Sequence, residues 1–478
     1  MAEENLKTKI KKGFIWKFGE KIVVQLTQLI IQIILARILF PDDFGVLAIL
    51  NVFIALCDVF ILYSFSSALI RKNDADQIDF SSVFYFNVVF SIFLYFILFF
   101  TAPLISYFYE MESLTNLLRV LSLNIIIGSL SSIQNVLISK RLNFKITFFK
   151  SFLVVLSYAA VSIAMAMNGF GVWSLVVGKV VSTLVGTLAL VVMVRWIPSL
   201  SFSYRRMKSL FSFSSKILGT NLLSSLFQNF SSLIIGKYYT TEDLGYYNKG
   251  QQLPQTAMVA IDGSLSEVLY PSMSIVQEDE GALKSMLSRS LSSIYFVVTP
   301  IMIGGLVVAP QLIPVLLTDK WINSIPFFQL QCIICMFWPM NAEHHMLNAK
   351  GMSKITFFIS LSANLITFVF ILIGVRYSIY IIMIGTIVGN LISVVLSSVF
   401  AKKYCYYGFG DLLKDIGPSL FTALTMGVIV YFISYLPLSR FFVLCIQILV
   451  GFVYYFALSI LIKNKGMFFL KNVFLKRK

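Results

Sequence analysis

Charge is scarce in this chain. Asp, Glu, Lys and Arg make up 13% of its 478 residues, hydrophobic residues make up 58%, and mean hydropathy is +0.85. So little polar surface cannot cover a water-soluble globule of 54.0 kDa, which places the chain in lipid. Histidine is nearly absent, with only His344 and His345, and adjacent residues on a helix point apart, so no metal-ligand spacing arises. The five cysteines, Cys57, Cys332, Cys335, Cys405 and Cys445, fall in or beside apolar runs; their odd number and placement read as apolar filler, including the CxxC spacing of Cys332 and Cys335. No phosphate-binding loop is present either, because Lys179 follows Gly178 but precedes Val180 instead of Ser or Thr, so ATP does not drive the chain directly. The loops are short and basic. None is long enough to build an active site around paired carboxylates or a nucleophile elbow, which reads as a non-enzyme without cofactor or metal.

What the chain has in abundance is apolar runs. About fourteen are each long enough to cross a ~30 Å hydrocarbon layer as a helix, the first from Phe14 to Leu39 and the last from Phe441 to Ile462. The runs are too long and too evenly apolar for barrel strands, so the expected class is an all-α polytopic membrane protein. The first run is too long for a cleavable signal and is expected to stay as helix one. The net charge of +16, from 38 basic and 22 acidic residues, is uneven along the chain. Alternate loops collect Arg71 and Lys72, then Lys140 and Arg141, Arg205 and Arg206, Lys284 and Arg289, Lys350 and Lys354, and Lys402 and Lys403. The intervening loops offer only Arg37, Lys237, Lys320, Arg376 and Arg440 near their ends. Basic loops mark the cytoplasmic side, which puts both termini there and explains the charge by topology and contact with anionic lipid headgroups, not by nucleic acid.

The chain also repeats itself. Ile34-Leu-Ala-Arg-Ile-Leu-Phe-Pro-Asp-Asp-Phe-Gly45 aligns without gaps on Ile234-Ile-Gly-Lys-Tyr-Tyr-Thr-Thr-Glu-Asp-Leu-Gly245, and Lys145-Ile-Thr-Phe-Phe149 recurs as Lys354-Ile-Thr-Phe-Phe358. Gly178 and Gly385 hold equivalent places in helices six and twelve. Two like-oriented six-helix lobes follow, the parallel-repeat plan of a two-lobed transporter: residues 1–195, a cytoplasmic linker at 196–209, residues 210–403, and helices thirteen and fourteen with a basic tail at 404–478.

Polar residues inside apolar helices are the candidates for function. Lys21, Gln25, Gln28 and Gln32 form one stripe on helix one, and Asn221, Ser225, Gln228 and Asn229 match it on helix seven. Such amides either line a wet path or hydrogen-bond neighbouring helices. Charges deep in spans cost roughly 2.5 to 3.5 kcal/mol each, and Asp58, Lys179, Lys249 and Asp262 qualify, with Arg119 shallower. Lys21, Lys179 and Lys249, with Gln25, Gln28, Gln228, Asn229 and Gln252, are the candidate binding residues. Asp58, Asp262 and Glu343 are candidates for binding a coupling ion or proton, and Asp58, Asp262 or Glu20 could instead neutralise the lysines.

Basic residues ahead of Gly13, Phe14 and Trp16, the Leu35-Ala-Arg-Ile-Leu-Phe-Pro-Asp-Asp-Phe-Gly45 segment, Lys140-Arg-Leu-Asn-Phe-Lys145 and Gly169-Phe-Gly-Val-Trp-Ser-Leu175 carry a resemblance over most of the chain. It resembles the polysaccharide flippases of the multidrug, oligosaccharidyl-lipid and polysaccharide exporter superfamily. That resemblance implies a fourteen-helix fold with a central cavity, and a lipid-linked oligosaccharide on a polyprenyl pyrophosphate carrier as cargo. The implied setting is the bacterial inner membrane, with polymerase and other assembly proteins nearby and the chain itself a monomer. A cation-coupled drug antiporter of the same fold is the nearer alternative; a membrane enzyme of polysaccharide assembly would need a long external loop.

Overall fold

The computed structural model describes residues 19, 21, 23–63, 65–72, 74–141 and 143–469. All regular structure among them is helical, as expected where backbone groups must satisfy one another inside lipid. Helix α1 covers Val23–Ile38. It is followed by α2 (Pro41–Tyr63), α3 (Ser66–Arg71), α4 (Gln77–Tyr109), α5 (Ser113–Leu121), α6 (Leu123–Ser129), α7 (Ser132–Arg141), α8 (Phe144–Met167) and α9 (Val172–Val194). Then come α10 (Tyr204–Tyr238), α11 (Thr241–Ile275), α12 (Glu280–Leu317), α13 (Ile325–Cys335), α14 (Asn341–Ala349), α15 (Ser353–Tyr377), α16 (Ile379–Cys405), α17 (Phe409–Ile433) and α18 (Arg440–Leu461).

Ten stretches among the described residues are long and apolar enough to span a membrane, and the bent pair Ser113–Ser129 and Ser132–Arg141 is an eleventh. This is compatible with fourteen, because α1, α10 and α11 stand where helices one, seven and eight are expected. The last two are 35 residues each, ample to cross, and their amides, serines and charges make them less apolar than the other spans. Two expected single spans are broken. The run from Leu114 to Ile138 bends by 43° between α6 and α7, where the hydroxyls of Ser129, Ser131 and Ser132 donate to the carbonyls of Ile126, Gly128 and Ser129 of α6. The run from Ile325 to Leu347 breaks at a 3-10 turn containing Pro339. By contrast α12 runs on through Pro300, Pro310 and Pro314.

The chain packs as two compact units, Met1–Gly245 and Tyr246–Lys478. In the first, α10 lies along α2 and α4, while α1 packs Ile31, Leu35 and Leu39 against Val155 and Ala166 of α8 and Leu175 of α9. In the second, α12 lies between α13, α17 and α18, and Phe296, Ile303, Ala423, Met426, Leu444 and Tyr455 form its core. Equivalent helices pair alike. The α8–α9 pair closes where a Cβ on Gly178 would strike Ser162, and the α15–α16 pair closes where a Cβ on Gly385 would strike Phe370.

The matched motifs meet within the first unit. A Cβ on Gly45 would run into the carbonyl of Thr241, and a Cβ on Gly245 would run into the carbonyl of Pro41, the same contact read in both directions across the 200-residue offset. Both helix starts are capped in the same way, with Phe40 N–H donating to Asp43 Oδ2 at 3.0 Å and Thr240 N–H donating to Asp243 Oδ2 at 3.3 Å. The Thr241 hydroxyl also donates to Asp42. Glycine is required here by close approach of two backbones, not by φ.

Ion pairs respect the sides inferred from loop charge. Lys72 meets Asp79 at 2.6 Å, Arg206 meets Asp76 at 2.6 Å, Lys284 meets Asp411 at 3.2 Å and Lys350 meets Glu280 at 3.1 Å, each between loops expected on the basic side. Lys237 meets Glu110 at 2.8 Å, and Arg440 meets Asp319, each between loops expected on the other. The residues ahead of α10 are pinned to the start of α4: Trp196 Nε1–H donates to Gln77 Oε1 at 2.8 Å, and the backbone N–H groups of Ser199 and Ser203 donate to Ser81 and Ser82, each at 2.9 Å.

Candidate functional site

Helices α1, α2, α9 and α10 of the first unit carry the polar residues that stand out in the sequence. Ahead of α1, Lys21 is half-buried; on α1, Gln25 and Gln32 are half-buried and Gln28 is exposed. Val23, Leu26, Ile30 and Ile34 are exposed too, but at roughly 100° per residue they fall on the opposite side of the helix from that stripe. The same division recurs on α10, where Asn221, Ser225, Gln228 and Asn229 share one side and exposed Leu223 and Leu226 lie across from them. On α9, Lys179 is exposed, while the exposed apolar residues Leu184, Leu188 and Val192 sit roughly half a turn away. Each helix therefore has an apolar face suited to acyl chains and, behind it, a polar face that is not directed at them.

Charge converges on α9. Lys179 acts electrostatically on the carboxylate of Asp58, half-buried on neighbouring α2, at longer range than a direct ion pair. An exposed ammonium and a partly shielded acid therefore stand on adjacent helices, an arrangement that can take up an anion or exchange a proton. Arg119 behaves differently. Its guanidinium lies 4.2 Å from the centre of the Phe99 ring and its Nε–H donates to the Phe99 carbonyl at 3.3 Å, a packing role.

The remaining candidates lie in the second unit. Lys249 is buried, with its ammonium 5.8 Å from the Trp321 ring centre, in the stretch of α11 where Tyr246 and Tyr247 pack on Trp321 and Phe327. Gln252 is half-buried one turn further on. The side chain of Asp262 lies outside the described residues. Glu343 is fully buried at the start of α14, where the hydroxyls of Ser397 and Ser398 of α16 donate to it, the latter at 3.1 Å. That serine pair gave no sequence signal, since serines in apolar helices usually bond their own backbone.

The outer charges hold loops in place. Asp76 caps α4 through the Asp79 N–H at 3.0 Å, and the Arg206 guanidinium hydrogen-bonded to it holds its carboxyl down at about 2. Hydrogen bonding to Lys237 likewise lowers Glu110.

Fold and site together define a multi-pass helical membrane protein with polar helix faces backed by apolar ones. A family model described as polysaccharide biosynthesis protein matches residues 34–326, and the chain belongs to that family. It is 26% identical over 301 residues to the teichuronic acid biosynthesis protein TuaB of Bacillus subtilis (strain 168), covering 62% of each chain. The match thus spans a little under two thirds of that relative's length. It is 23% identical over 357 residues to the lipopolysaccharide biosynthesis protein WzxC of Escherichia coli (strain K12), covering 74% of this chain and 72% of that one. Among solved structures it is similar to the lipid II flippase MurJ in an inward closed conformation, with a TM-score of 0.75 and 16% identity over 94% of this chain and 98% of that one. An inward-facing multidrug resistance MATE family transporter of the MOP superfamily gives a TM-score of 0.62 and 12% identity over 83% and 99%. At these identities the structural likeness establishes the fold.

Proposed function

We propose that this chain flips polyprenyl-pyrophosphate-linked oligosaccharide repeat units from the cytoplasmic to the outer leaflet of the bacterial inner membrane by alternating access, for O-antigen, capsule or exopolysaccharide synthesis. The observation that carries this reading is Lys179, an exposed ammonium within the apolar length of α9 on the side away from the exposed leucines. A diphosphate needs fixed point charges, which lysine supplies, and sugar hydroxyls need donors and acceptors, which the glutamine and asparagine faces of α1 and α10 supply. The prenyl tail needs no site, because lipid already solvates it. Lys21 and Lys249 are further contacts for the anionic head, with Gln252 beside the latter. Asp58, Asp262 and Glu343 are candidates for ion coupling.

The chain acts as a transporter and not as an enzyme, works as a monomer with both termini cytoplasmic, and delivers its cargo to a polymerase and other assembly proteins. Membership in a polysaccharide biosynthesis family supports the cargo class, and the mixed lysine and carboxylate content of the spans favours an anion over the aromatic cations of a drug antiporter. Liposomes containing the purified chain and a fluorescent short-chain prenyl-diphosphate sugar test the reading. Label should move from the leaflet exposed to an impermeant quencher to the protected one faster than in empty liposomes. Equal rates, with export of aromatic cations instead, would replace the proposal by the antiporter.

A further inference from the structure

We infer that Glu343 is a proton-loading site of the second unit, filled from a small polar cavity through the hydroxyl of Ser397. Glu343 is fully buried and takes part in none of the ion pairs among the described residues. Its partners are two hydroxyls of α16, those of Ser397 and Ser398. No lysine or arginine among the described residues forms an ion pair with it. Of the titratable groups near it, Tyr295 of α12 donates its hydroxyl to the Met336 carbonyl at 2.7 Å, and Tyr407, ahead of α17, donates to Asp415 Oδ2 at 3.0 Å. Its own helix adds His344 and His345. A lone carboxylate in such surroundings is costly as an anion and far less so as an acid.

Beside it lies a cavity of about 180 Å³, room for several waters at ~30 Å³ each. Asn341, His344, Asn390, Ser393 and Ser397 supply its polar walls, and Glu343 is not among the lining residues. Ser397 alone both lines this space and donates to the carboxylate. A hydroxyl donates and accepts at once, so a proton crosses in one balanced exchange. The Ser397 O–H bond breaks as the Glu343 O–H bond forms, and the serine oxygen takes a replacement proton from a protonated water in the cavity. A sodium ion would have to shed its water and pass the same hydroxyl, with two serine oxygens as its reward. Loading changes the charge between α14 and α16 by one, which biases how these helices pack. The link from that bias to cargo movement rests on the flippase reading; the titration does not.

Infrared difference spectra of the full-length chain in lipid nanodiscs, recorded across a downward pH step, test the site. The wild type should gain a protonated-carboxyl C=O band that is lost in Glu343→Gln and kept in Asp58→Asn. Ser397→Ala should keep the band but slow its appearance about a hundredfold, the low end of what a positioned proton-transfer group contributes. Ser398→Ala, which removes one donor, should shift the band's frequency, and this variant serves if Glu343→Gln does not fold. A band that persists in folded Glu343→Gln, ignores both serine variants, or is displaced by sodium in place of choline at constant pH would overturn the proposal. A normal titration in a chain that moves no lipid-linked sugar would overturn the flippase reading alone.

Discussion

Replacing Gly45 by Ala tests the reciprocal contact between the two matched motifs. The added methyl would enter the space of the Thr241 carbonyl, and neither helix start can easily give way, since Asp43 and Asp243 cap both. Overpacking of this kind costs typically 1–3 kcal/mol. The conformation in which the two starts touch should therefore lose roughly 5- to 150-fold in population. Gly245→Ala should act equally, through the carbonyl of Pro41. The double variant should cost less than the sum, because one separation relieves both clashes. A cysteine pair, Asp42→Cys with Thr241→Cys, in a background lacking the five native cysteines reads the effect as a crosslinking rate. Gly128→Ala, where a Cβ meets nothing within 4 Å, is the neutral control. Unchanged crosslinking in both glycine variants, or strict additivity, would refute the argument that the motifs lock by backbone contact.

Lys179→Met should leave Asp58 without its cation and lower the melting temperature in detergent, and adding Asp58→Asn should restore part of the loss. The coupling should be about 0.5–1 kcal/mol because Lys179 is exposed, and additive effects would show that the two groups do not interact. The clamp on the start of α4 should open in acid. Asp76 is held at about 2, below its ordinary 3.8, so its contribution is fully present above pH 4 and is lost as pH falls from about 4 to about 2. In a chain keeping Trp196 as its one tryptophan, emission should change within that window, and in Arg206→Gln it should change nearer pH 4; identical curves would contradict the clamp.

The helical class, the repeat and the polar faces were legible in the sequence because each depends on periodicity or identity. The spacing of Lys21, Gln25, Gln28 and Gln32 fixes a shared helix face whatever that helix packs against. The spacing does not determine which side faces lipid; that emerged from exposed Val23, Leu26, Ile30 and Ile34 across the helix. Lys179 and Asp58 were each visible as costly charges, but 121 residues separate them in the chain, and only the packing of α2 on α9 brings them together. Lys249 met the same charge criterion, yet it is buried under Trp321, because a long apolar stem can be covered by rings that the local sequence does not reveal. Breaks were hard to place for the same reason. Three prolines do not interrupt α12, whereas the run after Ser129 bends where Ser131 and Ser132, beyond the end of α6, donate to α6 carbonyls. The repeat boundary in sequence and the packing boundary at Gly245 answer different questions, one about where the chain repeats and the other about what its helices touch.

The central claim is that an anionic, lipid-linked head crosses the membrane along the polar faces of α1, α9 and α10. The most direct measurement is the sidedness of lipid-linked repeat units in cells whose only copy of the chain carries Lys179→Ala, with expression and membrane insertion verified. The account requires the units to accumulate on the inner leaflet, inaccessible from outside, with surface polysaccharide lost. Wild-type export with no accumulation, in this variant and again with Lys21→Ala and Lys249→Ala, would contradict it.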